Sequence, residues 1–244
     1  ASSTIWSKVL QVVDARWRFG VSGTPLKGDD ARDMTLIGLT GNVVEGYTVA
    51  DLVEAGYAVL PIVKLINTVP MLGKYDTKGK YNTIYNKVYG DIKLWELVKN
   101  AVIGKHGVLI FTERVEICLE LAMFLKKFGI NAEVTYGGLE DDKRIQVLKD
   151  LKDKKIDVLV CTTVLDEGID VSNISTVVFM TSNKSIVRIL QRIGRGVRIE
   201  DGKDSVEIID FIIDAPFLKK HILHRVKLYK AEQFKTEIVN AENL

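Results

Sequence analysis

From residue 91 onward the chain alternates between two hydrophobic rhythms. Short unbroken apolar runs occur at Val108–Phe111, Ala132–Tyr136, Asp157–Cys161, Thr176–Met180 and Val206–Ile213. Their length and β-branched content are those of buried strands. Between them lie stretches with apolar residues every three or four positions. These are Asp91–Ile103 (Ile92, Trp95, Val98, Val102), Val115–Phe128 (Leu119, Ala122, Leu125 inward), Asp141–Asp153 and Ser185–Gly194. Strands alternating with helices predict βαβ units with right-handed crossovers. The expected fold is α/β, a doubly wound parallel sheet with helices on both faces.

The flanks are less regular. Residues 1–25 predict a short amphipathic helix (Ile5, Val9, Val12, Val13), then a strand at Phe19–Val21. Ser22-Gly23-Thr24-Pro25 follows as a strand-end loop, where α/β folds place ligand contacts. Thr48–Ala55 predicts a short helix with Thr48 as N-cap and Asp51 at N3. Ile62–Ile66 is rich in β-formers. Lys74–Tyr89, rich in Lys, Tyr, Asn and Thr, predicts a partly exposed insertion or linker. The tail, Asp214–Glu242, predicts one long helix capped by Asp214, with Pro216 in its first turn. Leu218, Ile222, Val226 and Tyr229 form its apolar stripe. Lys219, Lys220, Arg225, Lys227, Lys230 and Lys235, with His221 and His224, make the rest basic. Such a helix is either solvated and packed on the sheet edge or a phosphate-contacting arm.

One helix pattern stands apart in its chemistry. On a wheel of about 100° per residue, Ile186, Leu190, Ile193 and Val197 share one side. Arg188, Gln191, Arg192, Arg195 and Arg198 share the other, with neither Lys nor an acid among them. Arginine is the residue for bidentate recognition of phosphate and for stabilising charge on a transferring phosphoryl group. Gly194 and Gly196 weaken the helix around Arg195 and let backbone approach a ligand. The alternatives are a plain basic face and an anion site for a nucleotide or nucleic acid.

Composition narrows the class. Hydrophobic residues at 47% and charged residues at 27% are those of a globular chain. A net charge of +2 leaves any nucleic-acid affinity to local patches. No run reaches the roughly 18 apolar residues of a membrane span, and no signal-peptide pattern opens the chain. No membrane partner is expected, and the expected location is the cytoplasm (the nucleoid, or host cytoplasm for a viral protein). Cys118 and Cys161, both in apolar surroundings, fit a reduced compartment better than a disulfide. Three histidines without a Cys/His cluster argue against a zinc site.

The carboxyl ends of parallel strands share one edge, and ligands bind there. Those ends carry Thr112-Glu113-Arg114, Gly137-Gly138, Thr162-Thr163 and Thr181-Ser182-Asn183. Hydroxyls, glycines and free helix N-terminal N–H groups suit phosphate oxygens. No aromatic interleaving is visible, so the expected ligand is a phosphate backbone read without base stacking. Asp170, behind the turn-forming Gly168, presents a carboxylate beside the arginine segment. It would accept hydrogen bonds from ribose hydroxyls or pair with Arg195 or Arg198.

Thr162–Val171 (TTVLDEGIDV) followed by Gln191–Arg198 (QRIGRGVR) resembles motifs V and VI of superfamily 2 helicases. Val108–Arg114 (VLIFTER) resembles motif IV, and Ser22-Gly23-Thr24-Pro25 resembles motif III. The resemblance covers about residues 15–215. Asp51–Tyr57 (DLVEAGY) and the basic tail are similar to the UvsW and XPB-like branch. The resemblance implies RecA-like domains, ATP and Mg²⁺ as cofactors, and nucleic acid, branched or duplex DNA, as partner. It implies that Arg195 and Arg198 reach the ATP γ-phosphate and that Gln191 organises the contact. Gly168 and Asp170 approach the nucleotide. Thr112, Arg114, Gly138, Thr162 and Thr163 hold strand phosphates. Ser22, Gly23 and Thr24 couple the two motor halves.

The chain departs from the family in lacking a GxxxxGK[ST] phosphate loop and an acidic box, which hold the β/γ-phosphates and Mg²⁺. The expectation is the C-terminal half of a motor. Residues 1–25 would be a remnant of the first RecA-like domain, and 26–90 a connecting segment and start of the second domain. Residues 91–213 would be that second domain, and 214–244 the basic C-terminal helix. The opening Ala1 in place of Met agrees with an expressed or proteolytic fragment. The intact protein would be an ATP-dependent helicase remodelling branched DNA in recombination and repair. The fragment alone would not hydrolyse ATP, and its partner would be the first RecA-like domain. Rival readings are a non-catalytic RecA-like binding module, a duplex translocase that separates no strands, and an unrelated nucleotide-binding α/β enzyme.

Overall fold

The computed structural model describes residues 4–20, 30–44, 49–55, 60–75, 79–162, 174–182 and 205–244. The chain divides into two units, Ala1–Tyr47 and Thr48–Leu244.

The first unit contains α1 (Thr4–Val12) and α2 (Asp30–Thr40). The amphipathic pattern places α1 correctly. The strand expected at Phe19–Val21 is absent at the two described positions, where Phe19 and Gly20 have no regular structure and Phe19 is exposed. An extended segment without a ladder partner has nothing to hold it as a strand. Helix α2 was hidden by its composition. Thr35 and Thr40 sit inside it and return their hydroxyls to Ala31 O (2.7 Å) and Leu36 O (2.8 Å), a backbone bond that masks their low helix propensity.

The described residues of the second unit form seven strands: β1 (Leu60–Asn67), β2 (Val108–Thr112), β3 (Ala132–Thr135), β4 (Val158–Cys161), β5 (Thr176–Met180), β6 (Ser205–Ile212) and β7 (Lys235–Asn240). Every ladder is parallel, and the order is β3-β4-β2-β5-β6-β1-β7. Among the described residues its helices are α3 (Val49–Glu54), α4 (Val69–Leu72), α5 (Tyr81–Tyr89), α6 (Ile92–Val102), α7 (Val115–Lys127), α8 (Asp141–Lys152) and α9 (Leu218–Ala231). Strand periodicity sorts the core into two layers. Val108, Ile110, Val158, Val160, Val178 and Met180 face α5, α6 and α7. Leu109, Phe111, Leu159, Cys161, Val177 and Phe179 face α8 and α9. Each such side chain contributes about 1.5–3 kcal/mol by leaving water, which is why both faces of a parallel sheet must be covered. The doubly wound α/β fold is therefore as the sequence predicts.

Three local readings are corrected. First, Lys74–Tyr89, expected as a partly exposed insertion or linker, contains the core-packed helix α5. Ile84, Tyr85, Val88 and Tyr89 (positions i, i+1, i+4 and i+5) are buried on one face of α5, and the Lys and Asn residues face out. Second, α7 buries Ile117, Cys118, Leu121, Ala122 and Leu125, while Leu119 is exposed. Its sequence, VEICLELAMFLKK, offers more than one apolar stripe, and packing against β3 and β4 selects one. Third, the tail is not one helix. Helix α9 stops at Ala231 because Gln233 turns to φ +57. Phe234 N donates to Tyr229 O at 2.9 Å, Gln233 N to Lys230 O at 3.1 Å, and the Phe234 and Tyr229 rings stack. This is a Schellman closure with its hydrophobic contact, made without glycine. The chain then runs as β7 along β1, from Ile62↔Lys235 to Asn67↔Asn240.

The basic helix is also less uniformly basic at its surface than its sequence. Arg225 is 1% exposed and gives two hydrogen bonds to the fully buried Asp210, Nε to Oδ2 and Nη2 to Oδ1, each 2.7 Å. Tyr229 donates to the same carboxylate at 3.0 Å. Burial alone opposes the guanidinium charge, but Asp210 outweighs it and raises the Arg225 pKa. His221 is buried as well.

Candidate nucleic-acid interface

The strand order fixes where the site lies. From β2 the chain moves outward to β3, returns to β4 beside β2, and then crosses to β5 on the other side of β2. That reversal is the switch point at which open α/β sheets bind ligands. The carboxyl ends of β4, β2 and β5 meet there, with Thr112 opposite Met180 and Phe111 opposite Cys161.

Glu113, the residue after β2, ties these ends together. Its Oε1 accepts from Thr181 Oγ1 (2.7 Å), Ser182 N (2.8 Å) and Ser182 Oγ (3.1 Å). Its Oε2 accepts from Tyr81 OH at 3.0 Å. Tyr81 also contacts Ser182 Oγ. Burial first, and then the Glu113 carboxylate, push the Tyr81 phenol up to about 12, so it stays a donor. The backbone is drawn in too. Glu113 N donates to the Tyr85 hydroxyl oxygen (2.9 Å), which donates to Met180 O (3.0 Å). The β2 and β5 ends are thus joined by side chains from both strand ends and from α5. Sequence reading passed over Glu113 as a site residue. Its partners lie far away in the chain, and only the parallel order of β2 and β5 brings them together.

Arg114 caps the floor. Its Nη2 donates to Asn82 Oδ1, its guanidinium lies 6.0 Å from the Tyr85 ring centroid, and its buried Nε has no hydrogen-bond partner among the described residues. An arginine aligned over an aromatic ring keeps its fork pre-organised for an anion. Thr112 is on the predicted edge, but its hydroxyl is turned inward. It is 1% exposed and donates weakly to Arg114 O (3.3 Å) and Cys161 O (3.5 Å). Thr162 is 6% exposed, and its N–H donates to Thr135 O at 3.1 Å. Both threonines therefore form the floor of the edge. Gly138 is exposed at φ +103 in a turn closed by Leu139 N donating to Tyr136 O at 3.2 Å. A Cβ there would meet nothing within 4 Å. The backbone angle, characteristic of a type II turn, is the reason for glycine.

The structure thus brings Thr112, Arg114, Gly138 and Thr162 to one edge. Thr163, Gly168, Asp170, Gln191, Arg195 and Arg198 lie outside the described residues, as do Ser22, Gly23 and Thr24. Among the described residues no group of three or more His, Cys, Asp or Glu side chains stands together as a metal site. No helix among them is long and apolar enough to cross a membrane. Cys118 and Cys161 form no disulfide and are buried, and burial pushes the Cys118 thiol up to about 12, which makes it unreactive.

A seven-stranded parallel sheet with helices on both faces and a polar edge at its switch point defines a RecA-like α/β domain. Residues 93–200 match the helicase conserved C-terminal domain, and the fold of the second unit is similar to that of helicase C-terminal RecA-like domains. A protein of the Sulfolobus islandicus filamentous virus, named as a helicase, is 26% identical over 232 residues, covering 88% of this chain and 41% of its own length. The fold is similar to a fragment of an HsdR-type subunit of a type I restriction enzyme from Vibrio vulnificus (TM-score 0.72, 15% identity, 99% of this chain and 48% of that one). It is also similar to T4 UvsW (TM-score 0.55, 20% identity, 85% of this chain and 45% of that one). The chain spans less than half the length of these relatives.

Proposed function

We propose that this chain is the C-terminal motor half of an ATP-dependent DNA helicase or translocase that remodels branched DNA by branch migration and fork regression. The observation that carries this reading is the Glu113 cluster. It fixes the β2 and β5 ends beside one another at the switch point, with Arg114 and Thr162 on the same edge. Arg114 and Gly138, with Thr162 and Thr163 and the floor supplied by Thr112, hold the phosphates of one strand. The choice of DNA, and of branched DNA, rests on the likeness of Asp51–Tyr57 and the basic tail to the UvsW-like branch.

The nucleotide-facing part of the proposal rests on the sequence. Arg195 and Arg198, organised by Gln191, place positive charge at the γ-phosphate of ATP. Asp170, behind Gly168, accepts from the ribose. ATP supplies the phosphoryl group whose transfer drives the motor, and the ligands of its Mg²⁺ belong to the first RecA-like domain. Residues 1–25 belong to that first domain, with Ser22, Gly23 and Thr24 coupling the halves. Residues 26–90 connect to the second domain, 91–213 form its body, and 214–244 complete it with the basic helix.

The test is Arg195→Ala in the intact protein. An arginine finger contributes roughly 10³–10⁵ in rate, so ATP turnover is expected to fall by that order while DNA binding persists. Near-normal turnover in this variant contradicts the assignment.

A further inference from the structure

The carboxyl edge continues past β5 to β6, two strand spacings from β2, on the order of 10 Å away. Beyond β6 an open cavity of about 480 Å³ is bounded by Phe217 and Leu223 and by Lys74, Lys219 and Lys220. Its one carboxylate, Asp214, is 3.1 Å from Lys219 Nζ. The cavity therefore combines an apolar wall with an excess of positive charge.

Phe217 stands at its rim in an unusual conformation. It has φ +65 and ψ −45 and is half exposed. Pro216 O accepts from Leu218 N across it at 2.8 Å. This is a γ-turn of the rare, positive-φ kind, strained for a bulky residue where glycine would fit freely. Such strain persists where the surroundings over-determine it, and it gathers at ligand contacts. Here the ring is held edge-on to Tyr81, with centroids 6.4 Å apart and planes at 73°. Tyr81 is the same residue whose hydroxyl binds Glu113. One aromatic pair thus joins the cavity to the phosphate edge, and it keeps the Phe217 ring fixed and half exposed. The aromatic absent from the sequence motifs is supplied by the fold.

We propose that Phe217 is a nucleobase-stacking platform, with the adjoining phosphates held by Lys219 and Lys220, and that it receives single-stranded DNA running along the carboxyl edge from Arg114. The inference rests on the nucleic-acid reading above and adds base contact to it. An apolar ring next to lysine ammonium groups suits an unpaired base and its phosphates. A base pair in duplex offers no free face to the ring.

The experiment measures binding of labelled oligothymidylate and of an abasic strand of equal length to the 244-residue chain at low salt. Stacking on one aromatic is worth a preference of about 5- to 150-fold for the strand with bases. Phe217→Leu is expected to abolish that preference while abasic binding stays unchanged. Phe217→Gly, which suits φ +65, is expected to do the same with its fold intact by circular dichroism. Lys219→Glu with Lys220→Glu is expected to weaken both strands together. Equal binding of the two strands by the wild type, or a preference that survives in Phe217→Leu, overturns the stacking platform and leaves phosphate binding standing. Binding of neither strand overturns the nucleic-acid reading and this inference with it.

Discussion

Glu113 Oε1 accepts the backbone N–H of Ser182 at 2.8 Å, and through this bond the end of β2 holds the end of β5. The same oxygen takes the Thr181 and Ser182 hydroxyls, both from nearly buried side chains. Removing the carboxylate removes the acceptor of these three hydrogen bonds. Hydrogen bonds to a charged group are worth about 1.5–3 kcal/mol. Glu113→Ala is therefore expected to cost about 2–3 kcal/mol in urea unfolding. Glu113→Gln retains one acceptor oxygen and is expected to cost about 1 kcal/mol. Equal stability of all three proteins contradicts the role given to this residue.

The buried pair of Asp210 and Arg225 makes a sharper energetic prediction. Both side chains are inaccessible, and Arg225 Nη1 has no partner among the described residues. Arg225→Met leaves a buried carboxylate with Tyr229 OH and the Phe211 N–H as its remaining donors among the described residues. Breaking such a pair from one side costs about 3–5 kcal/mol. The double change Asp210→Leu with Arg225→Met removes the uncompensated charge and is expected to recover most of that loss. A double variant no more stable than Arg225→Met alone contradicts this account.

Acid sensitivity is expected from Glu207 at the opposite edge of the sheet. Burial raises its pKa, but hydrogen bonds from Lys105 and Lys64 outweigh burial and hold it below its ordinary value. A depressed folded pKa stabilises the protein fully above the unfolded value, about 4.3. That contribution is lost as pH falls through the folded value. The stability difference between wild type and Glu207→Gln is thus expected to be full at pH 6–7 and to shrink as pH falls below about 4. A difference constant from pH 7 to 3 contradicts the linkage.

The sheet was legible in the sequence because β2, β4 and β5 are buried on both faces and so read as unbroken apolar runs. The edge strand β7 was not. Its KTEIVN continues a Lys-rich helix in composition, and the break at Gln233 carries no glycine or proline. The strand-end threonines could be placed on one edge from the βαβ alternation alone. Which hydroxyls face inward could not, because that depends on carbonyls of neighbouring strands, as at Thr112 and Cys161 O. Arg225 looked like one more exposed cation until the fold set Asp210 against it. Nothing in the sequence marks Phe217, whose positive φ and ring contact with Tyr81 are visible only in the fold.

The central claim, that the carboxyl edge around Arg114 holds the phosphates of a DNA strand, is tested most directly by the salt dependence of single-stranded DNA binding to this chain. Each phosphate contact contributes about −0.7 to the slope of log K against log salt on a single strand. Arg114→Ala is expected to weaken binding uniformly across sequences and to reduce the steepness of that slope by about 0.7. An Arg114→Ala protein with the wild-type affinity and slope contradicts the claim.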